Sequence, residues 1–357
     1  MNTSCKYILN DKNAKLLGRT HIYEKVLWLA YSASGAEFEF EGTECIINFV
    51  GDNMSTAIED KIHCARVAVY VNEALVVEDL IDLERKSYKV FQSNECSKTK
   101  VRIIKLSETN ASTVGIESVQ ICGSKITPTK MNALKIEFIG DSITCGYGID
   151  GRLGDIYATA NENATKAYAY KTAVAIEADY SMVAISGYGI VSGYTETGDK
   201  NATSVVLPYY DKLGISYGKF ASKLEPASII WDFSRFVPDI IVINLGTNDQ
   251  SYCGLDISRC EEFQIGYKNF ISVIRDKNPN AYILCTLGTM GDYLYPYLEQ
   301  SVDNHIYETR DNRISGMKFD VHSEADGYAV DYHPNENTNN KAAEKLVKHL
   351  RSIMSDI

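Results

Sequence analysis

The 357-residue sequence predicts an α/β protein in two parts: an N-terminal antiparallel β-sandwich, then a parallel sheet with helices on both faces. Three observations predict it. The first third of the chain alternates apolar and polar residues at period two. The pattern changes near "GSKITPTKMNA". Everything beyond that point alternates strand-like with helix-like segments.

In "AEFEFEG", Phe38 and Phe40 share one face while Glu37, Glu39 and Glu41 share the other. In "ARVAVYVNEALVV", Val67, Val69 and Val71 repeat the pattern and Asn72-Glu73 offers a turn. "TKVRIIKL" and "VGIESVQI" are further short β-type runs. Period-two runs separated by turns are half-buried antiparallel strands. No strong helix is expected between about Tyr31 and Ile121.

Beyond Pro128, "LKIEFIG" reads as a buried strand, "AYAYKTAVAIEA" as an alanine-rich helix and "YSMVAISG" as a strand. "PDIIVINLG" is an apolar strand behind a proline. "EEFQIGYKNFISVIRDK" places Phe263, Tyr267, Phe270, Ile271 and Ile274 on one helical stripe, which Asn278-Pro279 stops. "NAYILCTLG" is another strand. "NNKAAEKLVKHLRSIM" closes the chain with Ala343, Leu346, Val347, Leu350 and Ile353 on one face. "GIDGRLGDIYATANENATK" and "GDYLYPYLEQ" read as long loops.

The formal net charge of -11 and the absence of a basic run argue against a nucleic-acid partner. No apolar stretch reaches the length of a membrane span, so no membrane partner is expected. The nine cysteines are scattered, without a CxxC pair, which fits neither a disulfide framework nor a zinc site. Reduced cysteines and the lack of a signal-peptide core in "MNTSCKYILNDKNAKLL" lead to the expectation of a cytoplasmic protein, or a secreted one if a leader has been removed. Oligomeric state is not readable.

In parallel sheets, ligands sit outside the strands' carboxyl ends. "GDS", "SGYG" and "GTND" each follow a predicted strand, and "DYHP" precedes the last helix. Each motif alone has a bland reading as a turn or a helix cap. Together they supply what acyl transfer needs: a nucleophile in Ser142, a base in His333, and oxyanion donors in the glycine backbone of "SGYG" and the Asn248 side chain.

These blocks, "FIGDSITCGYG", "ISGYG", "NLGTND" and "DYHP", resemble the four blocks of the SGNH (GDSL) hydrolases, whose name lists Ser142, Gly187, Asn248 and His333. A β-sandwich through "YSASGAEFEFEGTE" ahead of such a domain, with "WDFSRFVPDIIVINLGTND", is similar to carbohydrate esterase family 2. The resemblance implies a jelly-roll-like β-sandwich over 1–125, a linker over 126–133 and a three-layer α/β/α SGNH hydrolase domain over 134–357. It implies a serine esterase that removes O-acetyl groups from acetylated mannan or xylan, poly- or oligosaccharide, with a preference for the 6-O position. It implies no metal or organic cofactor. The oxyanion donors are then the Ser142 N–H, the Gly187 N–H and the Asn248 amide. Another SGNH esterase or lipase, or a carbohydrate-binding protein without activity, are the alternatives.

The sequence departs from the family pattern at one place. Val330 stands where SGNH enzymes carry the aspartate three residues before the histidine; Asp331 is the nearby carboxylate and the candidate third member. A backbone carbonyl orienting the imidazole is the competing reading, and Asp326 a weaker candidate. Tyr188, Trp231 and Tyr295 are candidate substrate-binding aromatics; buried packing is the plain alternative for Trp231 and Tyr295.

Overall fold

The computed structural model describes residues 4–57 and 61–355. The chain divides into two compact units, each discontinuous in sequence. The first comprises residues 1–132, 157–164 and 212–231, and the second residues 133–156, 165–211 and 232–357.

Among the described residues, the first unit carries a ten-stranded antiparallel sheet that curls around its own core. Its strands are β1 (Ser4–Tyr7), β2 (Lys15–Leu17), β3 (Thr20–Tyr23), β4 (Val26–Leu29), β5 (Gly35–Gly51), β6 (Arg66–Val71), β7 (Ala74–Leu80), β8 (Arg85–Lys105), β9 (Val114–Gly123) and β10 (Thr127–Pro128). The main order is β3-β4-β9-β5-β8-β6-β7. The long central strands serve both faces of the core by changing phase. In β5 the buried positions are Ala36, Phe38 and Phe40, then Cys45, Ile47 and Phe49. The register shift between Gly42 and Glu44, present against both neighbouring strands, produces that change, because an inserted residue swaps the inward and outward faces.

The segment expected as a linker, 126–133, is built into this sheet. Ile126 is fully buried in the core, and Thr127–Pro128 pairs with Phe38–Glu39 of β5. Two later segments also belong to this unit. Glu162 accepts hydrogen bonds from the Glu108 N–H (3.0 Å) and the Tyr157 hydroxyl (2.9 Å). Phe220 stacks on Trp28 with ring centroids 5.2 Å apart. The expected loop 148–166 is therefore partly core-anchored.

The second unit holds a five-stranded sheet, all parallel: β11 (Leu134–Gly140), β12 (Ala178–Ala184), β13 (Ile240–Asn244), β14 (Tyr282–Leu287) and β15 (Ile314–Lys318). The order β12-β11-β13-β14-β15 reverses direction at β11. Such a switch point leaves a crevice at the strands' carboxyl ends. Gly140 is level with Ala184 on one side and Asn244 on the other, so the loops after β11, β12 and β13 leave the sheet at one height.

The helices are α1 (Ser142–Cys145), α2 (Tyr168–Ala175), α3 (Leu207–Tyr210), α4 (Thr247–Cys253), α5 (Ile257–Lys277), α6 (Tyr295–Thr309) and α7 (Glu336–Ser355). The stripe predicted on α5 is buried at all five positions. "GDYLYPYLEQ" is not a loop throughout, since α6 begins at Tyr295 with Pro296 in its first turn. Leu298, Ser301, Val302 and His305 form its buried face, a helical spacing that the tyrosines obscure. No helix among the described residues is long and apolar enough to cross a membrane. None of the nine cysteines, all of them described residues, is in a disulfide.

Candidate active site

Ser142 opens α1 immediately beyond the carboxyl end of β11. Asp141 caps this helix, its Oδ1 accepting from the Ile143 N–H at 3.0 Å. The helix lasts one turn: Gly146 adopts a left-handed conformation, and the Gly146 and Tyr147 N–H groups both donate to the Ser142 carbonyl at 3.1 Å. A short capped turn holds a serine at a fixed height above the sheet.

His333 reaches this serine from the turn before α7. Its Nε2 lies 2.8 Å from Ser142 Oγ. Its Nδ1 lies 3.2 Å from the carbonyls of both Val330 and Asp331. Two carbonyl oxygens beside Nδ1 require that nitrogen to carry the proton, which leaves Nε2 to accept from the serine hydroxyl.

Asp331 does not occupy the position of a third catalytic member. Its carboxylate accepts a hydrogen bond from the Tyr147 hydroxyl at 2.9 Å, and the atom it sets at Nδ1 is its main-chain carbonyl oxygen. The physical reason is the backbone: Asp331 and Tyr332 both adopt left-handed conformations (φ 50 and 60), which turn the carbonyls inward and the carboxylate away. For Tyr332 that conformation costs about 1–2 kcal/mol, and an aspartate tolerates it better. Asp326 is bonded to Lys341 and Ser323.

Gly148 permits this approach of the two loops. A Cβ there would lie 2.5 Å from the Val330 Cβ.

The oxyanion candidates stand on the neighbouring strand ends. Gly187, three residues beyond β12, has φ 80, a Cβ built on it meets nothing within 4 Å, and its carbonyl accepts from the Tyr194 N–H at 2.8 Å. Asn248 lies in the first turn of α4. Its Nδ2 donates to the Tyr188 carbonyl at 2.8 Å and makes a longer 3.4 Å contact with Asp141 Oδ2. Asp249 accepts from the N–H groups of Ile190, Val191 and Ser192 at 2.7–3.0 Å, which pins the loop that carries Gly187 to the helix that carries Asn248. Burial raises Asp141 to about 7 and Asp249 to about 6.

Of the aromatic candidates, Tyr188 lies in this region, half-buried and edge-on to Tyr209. Trp231 belongs to the first unit and is buried, with the Arg19 guanidinium 5.3 Å above its ring, so it offers no face to a sugar. Tyr295 lies at the start of α6 with its hydroxyl beside Gly316 of β15. The aromatic groups that sequence reasoning missed are Tyr147, whose ring lies 4.3 Å from the His333 ring, and Tyr332, next to His333 in sequence and 60% exposed. Among the described residues, no group of three or more His, Cys, Asp or Glu is placed to hold a metal ion.

Burial pushes His333 from 6.5 down to about 4, against the Val330 and Asp331 carbonyls and the Asp331 charge, which pull it up. The imidazole therefore stays neutral, and able to accept a proton, well below the usual histidine range. We expect the acid limb of the kcat/KM profile to fall near pH 4; a midpoint at 6.5 would contradict this environment. Activity is a cleaner readout than stability here. A depressed histidine adds stability that is lost as pH falls from 6.5 towards 4, whereas the raised aspartates favour the folded state at low pH and lose that contribution as pH rises through about 6 to 7.

A parallel sheet with a serine–histidine pair at its switch point has the SGNH form and defines the class, a carboxylic ester hydrolase. Residues 138–339 match the model of the GDSL-like lipase/acylhydrolase family, and the chain belongs to that family. It is 32% identical over 236 residues to the cellulase/esterase CelE of Acetivibrio thermocellus, a match covering 64% of this chain and 27% of that protein. It is 24% identical over 359 residues to an acetylxylan esterase / glucomannan deacetylase of Cellvibrio japonicus, covering 99% of this chain and 92% of the relative. Among solved structures, a family two carbohydrate esterase of Clostridium thermocellum, in complex with cellohexaose, superposes with a TM-score of 0.82 at 26% identity, covering 96% of this chain and all of that one. The acetyl xylan esterase Est2A of Butyrivibrio proteoclasticus has the same fold, with a TM-score of 0.86 at 22% identity, covering 99% and 98% of the two chains.

Proposed function

We propose that the protein is a serine esterase that removes O-acetyl groups from acetylated plant saccharides of the mannan or xylan type. The observation that carries this reading is the 2.8 Å contact between Ser142 Oγ and His333 Nε2. The relatives named for acetylxylan and glucomannan deacetylation support the choice of substrate.

In this reading His333 Nε2 takes the Ser142 proton as Oγ attacks the acetyl carbonyl. The Ser142 and Gly187 N–H groups and the Asn248 amide hold the oxyanion. One Asn248 N–H is committed to the Tyr188 carbonyl; the other makes only the 3.4 Å contact and is the one left for the substrate. The imidazolium then returns its proton to the departing sugar oxygen. A water deprotonated by His333 attacks the acetyl-enzyme, and acetate leaves as Ser142 regains its proton. The chemistry needs no metal or organic cofactor. Tyr188 and the exposed Tyr332 flank the acyl and sugar positions.

The test is acetate release from acetylated mannan and xylan oligosaccharides, with rates compared across acetyl, butyryl and octanoyl esters. We expect the acetyl ester to be preferred by at least about tenfold. A rate that rises with chain length would replace this reading with a lipase.

A further inference from the structure

We propose that Tyr147 is a positioning residue that ties the His333 turn to the Ser142 helix; its catalytic consequence rests on the esterase reading above. Three contacts of this one residue carry the inference. Its main-chain N–H donates to the Ser142 carbonyl at 3.1 Å, so it moves with the serine. Its hydroxyl donates to the Asp331 carboxylate at 2.9 Å, across 184 residues of chain. Its ring covers the His333 imidazole, with centroids 4.3 Å apart and a tilt of 33°.

The turn needs such a tie. Asp331 and Tyr332 are successive residues in left-handed backbone, a conformation strained for the tyrosine in particular. Internal hydrogen bonds of the turn, Ala329 N–H to the His333 carbonyl and His333 N–H to the Val330 carbonyl, both 2.9 Å, close it but do not anchor it to the serine. Its main-chain link to the serine's loop is a long one, Val330 N–H to the Gly148 carbonyl at 3.5 Å, and the Tyr147 side chain adds the shorter, side-chain anchor. The hydroxyl holds Asp331 so that its carbonyl and that of Val330 converge on Nδ1. The ring limits rotation of the imidazole, which keeps Nε2 aimed at Ser142 Oγ. The Asp331 carboxylate therefore serves the reaction as a handle for the loop and not as a partner of the imidazole.

The experiment uses the full chain and two variants. Tyr147→Phe keeps the ring and removes the hydroxyl. Asp331→Asn keeps an acceptor and tolerates left-handed backbone while removing the charge. Amide hydrogen exchange at Ala329 and His333 is expected to quicken at least about tenfold in Tyr147→Phe; unchanged exchange would overturn the tie. With an acetyl ester as substrate, kcat is expected to fall about tenfold in Tyr147→Phe with KM within about twofold; an unchanged kcat would overturn the positioning role. Asp331→Asn is expected to lower kcat only about threefold, whereas a loss approaching 10⁴ would make it a member of a catalytic triad. Equal acetate release by wild type and Ser142→Ala would refute the esterase reading alone, because the exchange measurement still decides whether Tyr147 holds the turn.

Discussion

Replacing Ser142 with alanine is expected to lower kcat for acetate release on the order of 10⁴–10⁶-fold, and His333→Ala to do the same. The double variant should be no worse than either single one. The reason is geometric. The serine hydroxyl is a weak nucleophile at its ordinary pKa and attacks only as its proton passes to a base. Among the described residues the imidazole at 2.8 Å is the base hydrogen-bonded to Ser142 Oγ, so each residue is expected to be idle without the other. Steady-state kinetics of the three variants against wild type make the check. Losses that multiply would mean the two residues act separately, which this arrangement excludes. Ser142 is also buried at a strand end within a helix one turn long, so loss of its hydroxyl should leave the fold and the melting temperature nearly unchanged.

The second large effect is expected at Asn248. Asn248→Ala should cost about 10²–10³ in kcat, with KM changing far less, because the amide is needed most when negative charge develops on the carbonyl oxygen. It also leaves the Tyr188 carbonyl without its 2.8 Å donor, a buried loss of about 1–3 kcal/mol. Asn248→Asp should be worse still. It keeps the volume but places a carboxylate beside Asp141 and aims charge at charge. A loss of less than about threefold in Asn248→Ala would remove this residue from the oxyanion site.

The sequence made the parallel sheet legible because buried strands such as "IIVIN" and "YILCTL" are short apolar runs with clear stops. The placement of the four motif blocks was legible for a related reason: in this topology the residues after each strand share one edge, so sequence order maps onto place. What failed to show were contacts set by backbone conformation. Asp331 looked like a triad acid from its distance along the chain, yet two left-handed residues turn its carboxylate towards Tyr147. Periodicity carries no trace of a hydroxyl bond spanning 184 residues. The helix at Tyr295 was masked by tyrosines that count as neither clearly apolar nor polar. The supposed linker had one decisive residue, Ile126, whose burial depends on a strand pairing that local composition does not announce.

The discontinuous make-up of the first unit governs how the protein can be made. On a ribosome the chain emerges amino end first, and the β-rich part is complete in sequence order only as far as residue 132. Yet Trp28 waits for Phe220 and Glu108 for Glu162, partners that leave the exit tunnel after β11 and, for Phe220, after β12 as well. The nascent sheet therefore spends the time of roughly a hundred further elongation steps, ~5–20 s at typical rates, with apolar surface uncovered. A chaperone that holds nascent chains should bind it in that interval. For the same reason the gene has no clean cut between its halves: a fragment ending at residue 132 would lack the pieces that finish its own core, and aggregation is the expected fate.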